Sequence, residues 1–386
     1  MSNTDWLTLS LGEVVALQRG FDLSSDRRIA GKVPVVGASG VIGWHDQPVV
    51  ASGGITIGRA GAMGVVTRVR EPFWPLNTTL FVTDFHGNDP DFIYYFLKNF
   101  DFTPYNSGGV QPMLNRNYIR NIPVQIPPYS AQKAIAEVLG ALDDKIEANE
   151  RQIATLNDFC SAWHQHITNR TNTNSATQTL TELVERGFLA VGDGYRTKQS
   201  EHGEPGLPIL RVADVGHGAI TPSFTHYVSN AYRGAMGSKV SQQGDVILTT
   251  KGTVGRVALI EAGQPDFVYS PQVCYFRLAE NSPVSPLFML YWFQGKEFWS
   301  QAGGLKGQTD MADYLSLRDI RTLRITVPSP ADLSEFSRVC NPMQEQSEAA
   351  RRENHTLTVL RDTLLPQLVT GKIRVKDAER IVEDAA

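Results

Sequence analysis

Between Ala131 and Arg170 the apolar residues fall at alternating steps of four and three. They are Ile135, Leu139, Leu142, Ile146, Ile153, Leu156, Cys160, Trp163 and Ile167, with Asn149 filling the one gap. That alternation, held over about four heptads, is the seam of a coiled coil. The stretch holds no proline and a single glycine, Gly140. A polar Asn on such a seam fixes register at some cost in stability. A seam needs a partner, and the stretch from Asp332 to Leu368 offers one. There Phe336, Val339, Met343, Ala350, Leu357, Leu360 and Leu364 keep the same alternation. Each seam follows an irregular, Gly- and aromatic-rich region of similar length, so the chain reads globule, long helix, globule, long helix.

The two globular regions repeat each other. Gly252-Thr253-Val254-Gly255-Arg256-Val257 has the spacing of Gly61-Ala62-Met63-Gly64-Val65-Val66. The run Pro286 to Phe293 matches Pro90 to Leu97, and Gly307 to Met311 matches Gly109 to Met113. Ile320 to Pro328 matches Ile119 to Pro127, and a seam follows each copy. Four matches in the same order mark a tandem duplication of a globule-plus-helix unit. The copies diverge most between Gly20–His45 and Gly187–Ile220.

Local pattern fills in the first copy. Leu9 to Leu17 reads as a short amphipathic start. Val33-Pro34-Val35-Val36, Ile55-Thr56-Ile57, Leu80 to Thr83 and Ile122 to Ile126 read as strands. Phe92 to Phe100 reads as a buried helix, and Ser107 to Met113 as a flexible loop. Residues 171–177 are polar and uncharged and read as a linker. Trp44, Trp74, Trp292 and Trp299 are expected in the globule cores.

Two globules and two long helices can close into one pseudo-twofold object with the helices antiparallel. A helix of about 35 residues spans roughly 50 Å, and protein twofolds matched to DNA read half-sites about 34 Å, or a multiple, apart. Two readers on a rigid rod would fix the gap between two short, unlike target sequences.

Charge does not decide for or against that partner. The net charge of −4 over 386 residues is unevenly spread. Residues 1–128 carry 10 Lys+Arg against 10 Asp+Glu, and residues 171–329 carry 14 against 14. The deficit lies in the helical segments. A neutral globule can still have a basic face. No apolar run reaches the roughly 20 residues of a membrane span, and Met1 to Leu11 lacks the pattern of a secretory signal. The three cysteines are odd in number and form no CxxC, which argues against a zinc site or a disulfide framework. Cytoplasmic residence is the expectation.

At this point the chain resembles a known family, the specificity subunits of type I restriction–modification systems. The likeness is carried by the duplicated Gly-x-x-Gly segments and by the strand-Pro exits Ile126-Pro127-Pro128 and Val327-Pro328. The seam helices and the terminal run Leu364 to Ile373 complete it. It covers nearly the whole chain. One departure is Ser329-Pro330-Ala331-Asp332-Leu333, where the family usually carries a Gln.

The resemblance implies an α+β chain. Two similar mixed α/β target recognition domains (1–130 and 171–330) are separated by two long antiparallel coiled-coil helices, the spacers at 131–170 and 331–386. It implies that each domain reads one half of a gapped site in double-stranded DNA. The helices dock two methyltransferase (modification) subunits, and restriction (motor-nuclease) subunits join them. S-adenosylmethionine, ATP and Mg²⁺ are expected on those partners and none on this chain.

Base readout needs paired donors and acceptors, Arg or Lys for guanine and Asn or Gln for adenine. Phosphate contacts come from Lys, Arg, hydroxyls and loop amides. The glycine-rich loops of the first copy offer Ser39, Arg59, Ser107, Gln111, Asn115 and Arg116. Those of the second offer Arg196, Lys198, Lys251, Thr253, Arg256, Lys306, Gln308 and Thr309. Gly61, Gly64, Gly252 and Gly255 are read as turn residues. Trp163, Ile167, Leu364, Leu365, Leu368 and Val369 are candidates for covering, or being covered by, a partner subunit.

Catalytic look-alikes carry less. Ile126-Pro127-Pro128-Tyr129 has the shape of an adenine amino-methyltransferase motif, but Ile126 cannot accept a hydrogen bond from the target amine. Gly192-Asp193-Gly194 is a lone GxG, and no GxxxxGK[ST] occurs. Pro90-Asp91 with Asp143-Asp144-Lys145 imitates a nuclease pattern, yet the second part falls on the seam helix, where a solvated charged face is expected. His164 and His166 are two apart on a helix and face different sides, so no metal site is expected there. A stand-alone nucleic-acid enzyme and a DNA- or protein-binding scaffold remain the alternative readings.

Overall fold

The computed structural model describes residues 6–170, 176–305, 307–308 and 313–385. Two long helices dominate it, Tyr129–Asn169 and Pro330–Val369, of 41 and 40 residues. The chain divides into two compact units, Met1–Ala148 with Glu353–Ala386, and Asn149–Arg352.

The first unit holds one end of each long helix. Its main sheet runs, in spatial order, Ala16–Arg19, Thr79–Asp84, Gly54–Gly58 and Val66–Val69, all antiparallel. A smaller sheet pairs Val33–Gly37 antiparallel with Gly40–His45 and parallel with Trp74–Pro75. A two-stranded ribbon joins Leu7–Ser10 to Pro123–Ile126. The helix Pro90–Asn99 begins where Asp89 accepts bonds from the Asp91 and Phe92 amides, with Pro90 at its first position. Its Phe92, Ile93, Tyr95 and Leu97 are buried.

The second unit repeats this topology strand for strand. Its main sheet is Leu189–Asp193, Val273–Leu278, Val246–Thr249 and Val257–Leu259. Gly206–Leu210 pairs antiparallel with Tyr227–Ser229 and parallel with Val268–Tyr269. The ribbon is Ala176–Thr179 with Arg324–Val327. Ser285 caps the equivalent helix, Pro286–Gln294, through the Phe288 amide. Both ribbons lead into a capped turn: Glu13 accepts from the Ser10 amide, and Thr179 and Glu182 form a reciprocal capping box.

Within each unit the long helices pair antiparallel, and every seam residue is buried or half-buried. In the first unit Ile135, Leu139 and Leu142 share a core with Leu364, Leu365 and Leu368. Lys145 pairs with Glu353 at 3.1 Å. In the second unit Cys160 Sγ lies 3.8 Å from Met343 Sδ, and Arg170 pairs with Glu335 at 3.1 Å. Asn149 is buried on the seam, as is Ser347, which fills the step between Met343 and Ala350. Pro342 sits inside the second helix and removes one backbone bond there.

Several expectations are corrected. Leu9 to Leu17 is not one amphipathic segment; it is the end of one strand, a single helical turn at Leu11–Val14 and the start of another strand. The linker reading of 171–177 falls partly outside the described residues, and Ala176 and Thr177 belong to a strand. Trp44 is 53% exposed, because His45 takes the inward position on that edge strand and stacks edge-on against Trp74. Asp144 and Lys145 are exposed on the helix, as expected of a charged solvated face, while Asp143 is half-buried, and each is held in an ion pair.

The family departure also has a physical account. In the first copy the buried Gln132 ties three segments together. Its Oε1 accepts from the Asp89 amide at 2.9 Å, and its Nε2 donates to Asn88 Oδ1 and the Pro127 carbonyl at 2.8 and 2.9 Å. In the second copy Ser329 caps the helix through the Asp332 amide at 3.2 Å, and Leu333 packs on the core instead.

Candidate nucleic-acid interface

Antiparallel pairing decides where the loops emerge. In the first unit Arg19 lies opposite Leu80 and Gly58 opposite Thr79, so two strands end at the same edge of the main sheet. The loop after Gly58 turns through Gly61 (φ +89°) and Gly64 (φ +82°), a conformation cheap only for glycine. A Cβ on Gly58 would lie 2.5 Å from the Ala38 carbonyl, so the Ala38–Ser39 hairpin turn backs onto this loop. The segment 106–115 is latched to it by the Leu114 amide, which donates to the Arg59 carbonyl at 2.8 Å. Asn106 Oδ1 accepts from the Gly108 and Met113 amides at 2.9 Å each and holds the segment folded.

These contacts gather Ser39, Arg59, Ser107, Gln111, Asn115 and Arg116 into one loop cluster. Ser39, Gln111 and Arg116 are exposed. Arg59 is half-buried, its guanidinium 3.4 Å from the Asn77 carbonyl and from Met113 Sδ. Ser107 Oγ donates to the Met113 carbonyl, and Asn115 caps the short helix Arg116–Ile119.

The second unit builds the same latch. Leu315 donates to the Thr250 carbonyl at 2.9 Å, and Lys251 bridges to Tyr314 as Ala60 does to Met113. Gly252 (φ +78°) and Gly255 (φ +101°) shape the loop. Trp299 covers Gly255 so closely that a Cβ there would lie 2.4 Å from its ring. Asp193 and Thr249 leave the sheet at one edge, opposite Cys274 and Val273, so the loops carrying Arg196, Lys198, Lys251 and Thr253 emerge together. All four are exposed. Arg256 is different: its Nη1 donates to the Val212 and Val215 carbonyls at 3.2 and 3.3 Å, so it fastens a strap of the fold. Lys306 and Thr309 lie outside the described residues, and Gln308 is described only as backbone paired with Asp313.

The docking residues need correction. Ile167 is fully buried in the second unit, and Leu364, Leu365, Leu368 and Val369 are buried in the first. They are core of their own chain. Of the six, only Trp163 keeps exposed surface, stacked between Phe159 and His166. Sequence reasoning passed over Arg120, one helical turn beyond Arg116; the four-residue spacing was the available signal.

Among the described residues no group of three or more His, Cys, Asp or Glu is placed to hold a metal ion. No described helix is long and apolar enough to cross a membrane.

A duplicated unit of mixed sheet and helix, each copy carrying part of two long helices, is the class this arrangement defines, and comparison with known proteins narrows it. Residues 3–158 match the family described as type I restriction modification DNA specificity domain. Over 281 residues the chain is 22% identical to the type I restriction enzyme MjaVIII specificity subunit of Methanocaldococcus jannaschii, spanning 69% of this chain and 65% of that protein. It is also 22% identical over 310 residues to the MjaIX specificity subunit of the same organism, spanning 74% and 70%. Among solved structures it is similar to the S subunit of a type I restriction–modification system from M. genitalium. That match has a TM-score of 0.59 and 17% identity, and covers 94% of this chain and 96% of that one. The resemblance read from the sequence is borne out, and the fold is that of type I specificity subunits.

Proposed function

We propose that this chain is the DNA sequence-specificity subunit of a type I restriction–modification complex. Each globule reads one half of a gapped, bipartite site, and the long helices set the gap. The observation that carries the reading is the duplicated loop latch. Two copies of one scaffold present differently lined loops, as two unlike half-sites require. In this reading the chain has no catalytic residues of its own. Two methyltransferase subunits bring S-adenosylmethionine, and restriction subunits bring ATP and Mg²⁺, to a cytoplasmic complex.

The test is a methylome recorded before and after deletion of the gene. Loss of one bipartite adenine-methylation motif supports the proposal, and no change sinks it. Replacing residues 1–128 should alter one half-site and leave the other. Inserting about one heptad into a long helix should change the gap alone. Purified chain that methylates DNA unaided would establish the stand-alone enzyme instead.

A further inference from the structure

The two copies differ at the joint between the Leu11–Val14 turn and the Arg116–Ile119 helix, where the first unit has a cleft. In the first unit a cavity of about 280 Å³ lies between the turn Leu11–Val14 and the helix Arg116–Ile119. Leu11, Gly12, Val15 and Leu17 line one side, and Arg116, Asn117 and Arg120 the other. Arg116 and Arg120 are one turn apart, so their side chains share a face. Both are exposed, and among the described residues neither guanidinium has an ion-pair or hydrogen-bond partner. The walls offer no acidic side chain.

The second copy has the same backbone here but different side chains. The Gly12 amide donates to the Arg120 carbonyl at 2.8 Å, and a Cβ on Gly12 would lie 3.1 Å from that carbonyl; at the matching position Thr181 Oγ1 donates to the Arg321 carbonyl at 2.9 Å. Arg321, the counterpart of Arg120, is turned inward onto the Val191 carbonyl at 3.1 Å. Leu317 replaces Arg116 and packs on the core. Two substitutions, Gly12 for Thr181 and Arg116 for Leu317, together with the outward turn of Arg120, thus leave two free cations on the recess of the first unit.

We propose that this recess binds a phosphate of the DNA backbone, and that the first domain holds such an anchor while the second does not. A guanidinium pair suits this ligand, since arginine forks match phosphate oxygens. The recess adjoins the loop cluster through Asn115, which caps the Arg116–Ile119 helix on its wall. The inference rests on the proposed function and adds a position to it: a contact that anchors without reading bases.

The experiment uses the complex assembled with its methyltransferase subunits. Affinity for a duplex carrying the bipartite site is measured against salt. The double variant Arg116→Gln, Arg120→Gln should lower the slope of log K against log[salt] by about 1.8, two contacts at roughly 0.9 each, with sequence preference unchanged. Arg116→Lys, Arg120→Lys should restore the slope, which counts the charges that displace counterions, while the affinity itself stays lower for want of the guanidinium fork. An unchanged slope in the Gln variant overturns the proposal. So does a loss that Lys fails to restore, which would mark a structural role. An unchanged slope with weakened subunit assembly assigns the recess to an acidic protein segment and also overturns it. If the unaltered complex shows no preference for a bipartite site, the functional reading itself has failed, and the two failures are distinct.

Discussion

Arg361 of the second long helix donates to Asp143 of the first at 2.7 Å, and the other Asp143 oxygen accepts from the buried Tyr95 hydroxyl at 2.8 Å. One carboxylate therefore ties both helices to the globule they carry. Burial and the neighbouring carboxylate push the Tyr95 hydroxyl well above its ordinary range, so it stays a donor. Asp143→Asn keeps the size but removes the charge that Arg361 faces. We expect a loss of about 2 kcal/mol, in the range for hydrogen bonds to charged groups, read by denaturant unfolding. A variant as stable as the parent would show that the helix–globule joint does not depend on this group.

His164 lies on the first helix among Phe288, Tyr291 and Phe336, with its Nε2 buried and unpartnered. Burial pulls its pKa down to about 4. The folded state therefore binds fewer protons than the unfolded one between pH 6.5 and 4, and stability falls as pH falls through that window. Measured against His164→Leu, the parent should lose about 3 kcal/mol between pH 7 and pH 4. Parallel stability curves for the two proteins would contradict the buried neutral imidazole.

Gln132 and Leu333 occupy matching places with opposite chemistry. Gln132→Leu should leave the Asp89 amide and the Pro127 carbonyl without their partner, at a cost of about 1–3 kcal/mol. Unfolding midpoints report it. The second copy tolerates Leu because Ser329 has taken over the helix start.

Lys251 and Arg256 stand five apart in one loop and should separate cleanly. Lys251→Ala should leave the melting temperature unchanged and lower the salt slope of DNA binding by about 1, as expected for one phosphate contact. Arg256→Ala should lower the melting temperature, since two carbonyls of the 212–215 strap lose their donor. The reverse pattern would exchange their roles.

The first seam could be read from the sequence because its 3.5-residue period survives from Ile135 to Ile167 without a proline. The paired glycines could be read too, because a left-handed turn admits little else. Trp44 and His45 could not. The pairing shifts register between Val35 and Val36, and a slip of one residue reverses which side chain points inward. Arg256 was opaque for another reason: the carbonyls it binds lie about forty residues away, and nothing in its own loop announces them. The burial of Leu364, Leu365 and Leu368 is likewise long-range, since the helix that covers them precedes them by over two hundred residues.

In each globule the first strand lies beside the last, Leu7 against Ile126 and Ala176 against Val327. Entrance and exit are thus adjoining doors on the same threshold. Whatever is threaded between them can be exchanged for a foreign insert of the same fold, and the stem beyond keeps its geometry.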